Sequence, residues 1–143
     1  MKKLGFGLVM ALLLSGCATM TTSDLAANNS MNLVHLSRGM GRSEALGIMG
    51  SRISVYNCDH TTLKNPPRIK ISTPYRTETV ETAGRTLEVV YYVTSLNSGN
   101  CAVEEANLTP LVFDDGKLIG WGKAFLSEVT TKPAPAAQPA PAK

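Results

Sequence analysis

Apolar residues recur through the middle of the chain with two different periods, and the change of period divides it into elements. Leu33, Leu36 and Met40 lie three and four apart, which predicts a short helix with Asn29 or Ser30 as its N-cap. Gly39 and Gly41 punctuate the pattern. Arg42 to Met49 predicts a second short helix with Ala45, Leu46 and Met49 on one face, closed by Gly50 in a left-handed conformation. The period then changes to two. Ile53 and Val55 suggest a short strand before Cys58. Residues 59–75 contain Asn65-Pro66-Pro67 and Thr73-Pro74, which predicts loop with an edge segment at Ile69 to Ile71. Arg76 to Glu81 alternates Thr with charge, as an edge strand does, and Ala83-Gly84 turns the chain.

The strongest strand signal is Thr86 to Leu96. Leu87, Val89, Tyr91 and Val93 make one apolar face, and Glu88, Val90, Tyr92 and Thr94 make a mixed face open to water or a partner. Leu108 to Phe113 and Lys117 to Lys123 form a hairpin around Asp114-Asp115-Gly116, where Gly116 can take positive φ. The expected architecture is α+β, with two short N-terminal helices packed on one face of a small antiparallel β-sheet as a two-layer sandwich.

The two ends differ from this middle. Lys2 and Lys3 precede an apolar run from Leu4 to Leu14, broken by Gly5 and Gly7, and Ser15-Gly16 lead into Cys17. A positive head, a short apolar run and small residues describe a secretory signal over residues 1–16. The run falls short of the roughly 20 apolar residues that span a bilayer. Leu14-Ser15-Gly16-Cys17 resembles the lipobox of bacterial lipoprotein precursors. That resemblance implies cleavage before Cys17, a diacylglycerol on its thiol and an acyl group on its new amine. The simpler alternative is a secreted protein whose first cysteine happens to fall near the cut. Ala18 stands where Asp would favour inner-membrane retention in enteric-type sorting, which implies an outer-membrane anchor facing the periplasm.

Residues 17–29, rich in Thr, Ser, Asn and Ala, read as a lipidated tether. Residues 130–143 read as a Pro/Ala-rich tail of polyproline II character. One domain remains, residues 30–129, large enough for a single core. Loss of Lys2 and Lys3 with the signal lowers the formal charge from +3 to about +1. Arg68, Lys70, Arg76 and Arg85 are interspersed with Glu78, Glu81 and Glu88, so no basic stripe suggests nucleic acid.

With Cys17 assigned to lipid, Cys58 and Cys101 are left as a pair, and in an oxidising compartment a pair reads as a disulfide. Closing about 43 residues restricts the unfolded chain by roughly 4 kcal/mol. The alternatives are a reactive thiol or a metal site through Cys58-Asp59-His60, which has no second Cys/His cluster to complete it. His35 lies among Leu33, Val34 and Leu36 as a helix-surface residue, and His60 has only Thr61 and Thr62 as neighbouring hydroxyls. Glu104-Glu105 and Asp114-Asp115 are adjacent pairs, which strands direct to opposite faces. No catalytic residues, metal ligands or cofactor beyond the Cys17 lipid are expected. Trp121, between Gly120 and Gly122, either caps the core or, with Tyr92, anchors a protein partner.

Leu36-x-x-Gly39-Met40-x-x-x-Glu44-Ala45-x-x-x-x-Gly50 resembles the helical start of the small outer-membrane lipoproteins called SmpA/OmlA or BamE, and Leu111 to Leu118 is similar to their last hairpin. Gly41 departs from the usual capping Thr or Ser, no Pro follows Gly50, and Cys58 to Pro74 is an insert. Pro74 to Glu78, Tyr91 to Thr94, Thr109 to Phe113 and Gly120 to Gly122 resemble an uncharacterised proteobacterial family of small lipoproteins. These resemblances imply fold and location. The lipid anchor, the small helix-on-sheet domain, the lack of catalytic residues and the Pro/Ala tail suggest a non-enzymatic accessory subunit of a cell-envelope assembly, joined to the membrane by lipid and to other envelope proteins by contact. The envelope task would be outer-membrane protein assembly, or a secretion or motility machine. The alternative is a ligand-binding or inhibitor lipoprotein directed at lysozyme, a protease or peptidoglycan fragments.

Overall fold

A computed structural model describes residues 20–59, 64–82, 84–96 and 101–131. The signal (1–16), Cys17, His60 with Thr61 and Thr62, Ala83, and residues 132–143 of the tail lie outside the described residues.

Helix α1 spans Thr22–Asn32 and begins at a reciprocal cap. The Thr21 hydroxyl accepts the Asp24 amide at 3.1 Å, and the Asp24 carboxylate accepts the Thr21 amide at 2.9 Å. Leu25, Ala26 and Asn29 form its buried stripe. This corrects the expectation of a tether through residue 29 and a helix starting near Ser30: Thr21-x-x-Asp24 starts the helix earlier, and Leu33–His35 is one 3₁₀ turn. Helix α2, Arg42–Met49, closes on Gly50 at φ +86°.

β1 (Arg52–Asn57) pairs antiparallel with β2 (Arg68–Thr73) in a sheet of their own. The stretch expected to be mostly loop therefore holds a complete strand. Pro66-Pro67 lie before it and Pro74 after it, leaving every residue between able to donate an amide. β3 (Arg76–Thr82), β4 (Arg85–Val93), β5 (Leu108–Asp114) and β6 (Lys117–Trp121) make a second sheet in sequence order, all antiparallel. The β5–β6 turn uses positive φ at Asp115 (+47°) and Gly116 (+70°), the geometry that suits strand twist. The chain around Gly39–Arg42 covers the β6 edge: the Gly39 amide donates to Leu118 O at 2.7 Å, and the Leu118 amide to Met40 O at 2.9 Å.

Strand β6 ends at Trp121 rather than Lys123, and helix α3, Lys123–Thr131, follows where no element was expected and takes in residues 130 and 131 of the expected tail. Gly122, at φ +93°, turns the chain out of β6, and the Leu126 amide then donates to Gly122 O at 3.0 Å. Both faces of the four-stranded sheet are consequently covered. Leu87, Val89, Tyr91 and Val93 pack with Leu25, Tyr56 and Ile71, and Phe125, Leu126 and Val129 of α3 lie against them. Val90, Tyr92, Leu111, Phe113 and Leu118 pack with Leu36, Ala45 and Met49. The α+β class holds. The two-layer arrangement gives way to helices on opposite faces and a second small sheet. Arg42 fixes α2 to the sheet by a fork onto Glu88, with N–O distances of 2.7–2.9 Å.

Candidate functional site

Gly122 sends α3 back across β4 and β5, and the space left between them is a groove of about 390 Å³. Tyr91, Leu108 and Pro110 form its floor, and Leu126, Ser127 and Thr130 form one wall. Glu105, Ala106 and Lys123 close the end. The closure is tied: Gly122 N donates to Pro110 O at 2.8 Å, and Lys123 Nζ to Ala106 O at 2.8 Å. The Phe125 ring lies over Gly120, where a Cβ would come within 2.5 Å of it. Arg38 stacks on the same ring at 5.1 Å from the centroid.

One charged cluster borders this groove. The Arg76 guanidinium lies 4.0 Å from the Tyr91 ring centroid and forks onto Glu105, with Nη2–Oε2 at 2.9 Å and a second, shorter contact from Nη1 to Oε1. Glu78 accepts a short hydrogen bond from the Tyr91 hydroxyl. The bond to Glu105 raises the pKa of Arg76, and its counterpart lowers that of Glu105. Burial, then the bond to Glu78, raises that of Tyr91. These shifts favour the charged forms of Arg76 and Glu105 and the neutral form of Tyr91. The groove suits an apolar or planar group with polar ends.

Of the residues singled out in sequence, Tyr92 is corrected. It is 0% exposed, its hydroxyl donates to Gly50 O at 3.2 Å, and burial pushes its pKa up to about 12. Helix α2 covers the mixed face of β4, so no partner can reach the Tyr92 ring. Trp121 is half-buried against the same core. The space at Gly120 is used within the chain, where it receives Phe125, and Gly122 makes the turn. Trp121 and Tyr92 thus share one core, while the groove lies across the sheet.

Cys58 and Cys101 pair as a disulfide with Cα atoms 5.8 Å apart. Asp59 beside the bridge accepts the Thr22 hydroxyl at 2.7 Å and the Ser23 amide at 3.3 Å. Burial acts to raise its pKa, but these hydrogen bonds outweigh it and hold the carboxyl at about 2. His35 is exposed on the 3₁₀ turn. Glu104 accepts the Asn107 amide as a cap, whereas Glu105 meets Arg76; Asp114 pairs with Arg85 at 2.9 Å. Among the described residues, no three His, Cys, Asp or Glu gather at one point.

The groove was missed in sequence because α3 was. Its signal is Phe125, Leu126 and Val129 at helical spacing after Gly122, in a segment that also continues the hairpin's apolar pattern.

A protein-family model described as "Protein of unknown function (DUF3192)" matches residues 7–128. No curated protein and no solved structure matches the chain.

Proposed function

The chain belongs to the DUF3192 family, and from Leu14-Ser15-Gly16-Cys17 at the end of its apolar run we propose that it is an outer-membrane lipoprotein. It works without catalysis, as an accessory subunit of a cell-envelope assembly, facing the periplasm. The observation that carries this reading is Cys17 directly after Leu14-Ser15-Gly16 at the end of a short apolar run. Acyl chains at Cys17 confine the domain to a membrane, which raises its effective concentration for a membrane-bound partner. Among the described residues no helix is long and apolar enough to cross a membrane. Two helical segments ahead of an antiparallel sheet support kinship with the SmpA/OmlA-type lipoproteins as part of this reading.

The test is crosslinking in cells followed by gentle solubilisation and pull-down. A recurrent envelope protein is the expected result; recovery of the lipoprotein alone would overturn the accessory-subunit reading. Cys17→Ser should leave the precursor uncut or release the protein from membranes.

The α3 groove favours a second reading, a ligand-binding or inhibitor lipoprotein. Its volume falls within the range of small-molecule sites, and its apolar floor suits an extended peptide segment or a cell-wall fragment. Saturable binding of lysozyme, a protease or peptidoglycan fragments, abolished by filling the groove with Ser127→Trp, would select it. No saturable binding to any of them would exclude it.

A further inference from the structure

Only Ala18 and Thr19 separate Cys17 from Met20, and Met20 already packs against the first core. The Met20 carbonyl accepts the Asn57 amide at 3.1 Å, and Thr21 bridges to Asn57. Three Cα–Cα steps of 3.8 Å put the Cys17 Cα at most about 11 Å from that of Met20. Acyl chains on Cys17 start at the headgroup layer, so an acylated chain has almost no slack before its folded domain begins.

The surroundings of Met20 are tied together. Thr22 and Ser23 bind Asp59, the Thr22 hydroxyl lies 3.7 Å from Cys101 Sγ, and the Cys58 amide donates to Pro67 O at 3.0 Å. The Cys58–Cys101 bridge and the segment from Lys64 to Arg68 therefore stand at the same end of the domain as the α1 start. Lys64 and Arg68 are exposed there, beside Asp24 and Asp59, which accept from Thr21 and from Thr22 with Ser23 and keep their negative charge. The β5–β6 turn is remote from it. Cys101 lies in the connection from the end of β4 to the start of β5 at Leu108, which the Thr94 amide closes by donating to Asn107 O at 2.9 Å, whereas the β5–β6 turn follows Asp114, about 20 Å away along β5.

We propose that the disulfide end of the domain rests on the phospholipid headgroups of the bilayer that the Cys17 acyl chains enter. The domain then has one orientation, with the Cys58–Cys101 bridge toward lipid and the Asp115–Gly116 turn away from it. This rests on the acylation of Cys17 proposed above. Tether length enforces the orientation. A partner is then met at the membrane surface rather than across the periplasm.

The experiment uses the full-length protein purified from membranes and reconstituted in phosphatidylethanolamine/phosphatidylglycerol vesicles. A fluorophore is placed at Asn65→Cys or Lys117→Cys, both exposed positions, and quenched by lipids carrying a headgroup nitroxide. Quenching several-fold stronger at 65 than at 117 is expected; equal quenching, or stronger quenching at 117, overturns the orientation. An insert of about 20 Gly/Ser residues after Ala18 should keep vesicle association but abolish the difference. A difference that survives the insert overturns the role of tether length. Intact mass separates the two ideas: an unacylated, vesicle-free protein overturns the lipoprotein reading itself. An acylated, vesicle-bound protein without the difference overturns the orientation alone.

Discussion

Arg76 and Tyr91 sit directly opposite each other on β3 and β4, with the guanidinium stacked 4.0 Å from the ring centroid. The stack joins an edge strand to the floor of the groove, because Tyr91 lines it and Arg76 continues past the ring to Glu105 at its end. Arg76→Lys keeps the charge but loses the planar fork and most of the stacking. A loss of about 0.5–1 kcal/mol is expected from the stack, read from urea midpoints. An unchanged midpoint would show that the contact does not stabilise the β3 edge.

Asp59 gives a pH dependence of defined sign. Its folded-state pKa, about 2, lies below the ordinary carboxylate value near 4, so the unfolded chain binds its proton more readily. The stabilisation it brings is fully present above about pH 4 and is lost as pH falls toward 2. Asp59 is exposed, so the effect is a modest tilt rather than a collapse. Asp59→Asn should flatten that limb of the stability profile while the Cys58–Cys101 bridge stays oxidised. A limb of unchanged steepness would assign the acid sensitivity to other carboxylates.

Two buried tyrosines should respond in opposite ways to loss of the hydroxyl. Tyr92 donates to Gly50 O at 3.2 Å, which ties β4 to the end of α2, and Tyr92→Phe should cost about 1 kcal/mol. Tyr56 is also 0% exposed, but its hydroxyl has no hydrogen-bond partner among the described residues. Tyr56→Phe removes an unsatisfied polar group and should be neutral or stabilising by up to about 1 kcal/mol. Thermal melts of the two variants side by side check this, and a destabilised Tyr56→Phe would mean that its hydroxyl is hydrated or paired in solution.

How much of this was legible in sequence depended on whether the relevant pattern was local. β4 is legible because Leu87, Val89, Tyr91 and Val93 alternate without interruption, and the β5–β6 turn because Asp115-Gly116 suits positive φ. The fate of Tyr92 was not legible. Glu88 and Thr94 beside it suggest a wet face, and only the fork from Arg42, distant in sequence, shows how α2 covers Glu88 and closes the face over Tyr92. The α1 start was written locally, as Thr21-x-x-Asp24, but it was obscured by a Ser/Thr/Asn-rich composition that also suits a tether. The groove was the least legible feature, since it needs α3 folded back on a sheet whose strands come from separate stretches of chain.

Gly120 decides whether α3 can lie where it does. A Cβ there would stand 2.5–2.7 Å from three atoms of the Phe125 ring, well inside contact distance. The ring is half-buried between the sheet and Arg38, so it has limited room to retreat. Gly120→Ala should therefore destabilise by about 1–3 kcal/mol through overpacking. Phe125→Leu, which shortens the side chain at the clash, should recover part of that loss in the double variant, giving a coupling that neither single change shows. Additive losses in a double-mutant cycle would separate the two residues and with them the claim that this contact seats α3. Because α3 carries Leu126, Ser127 and Thr130, Gly120→Ala should also raise amide exchange along the groove wall before it affects the second core.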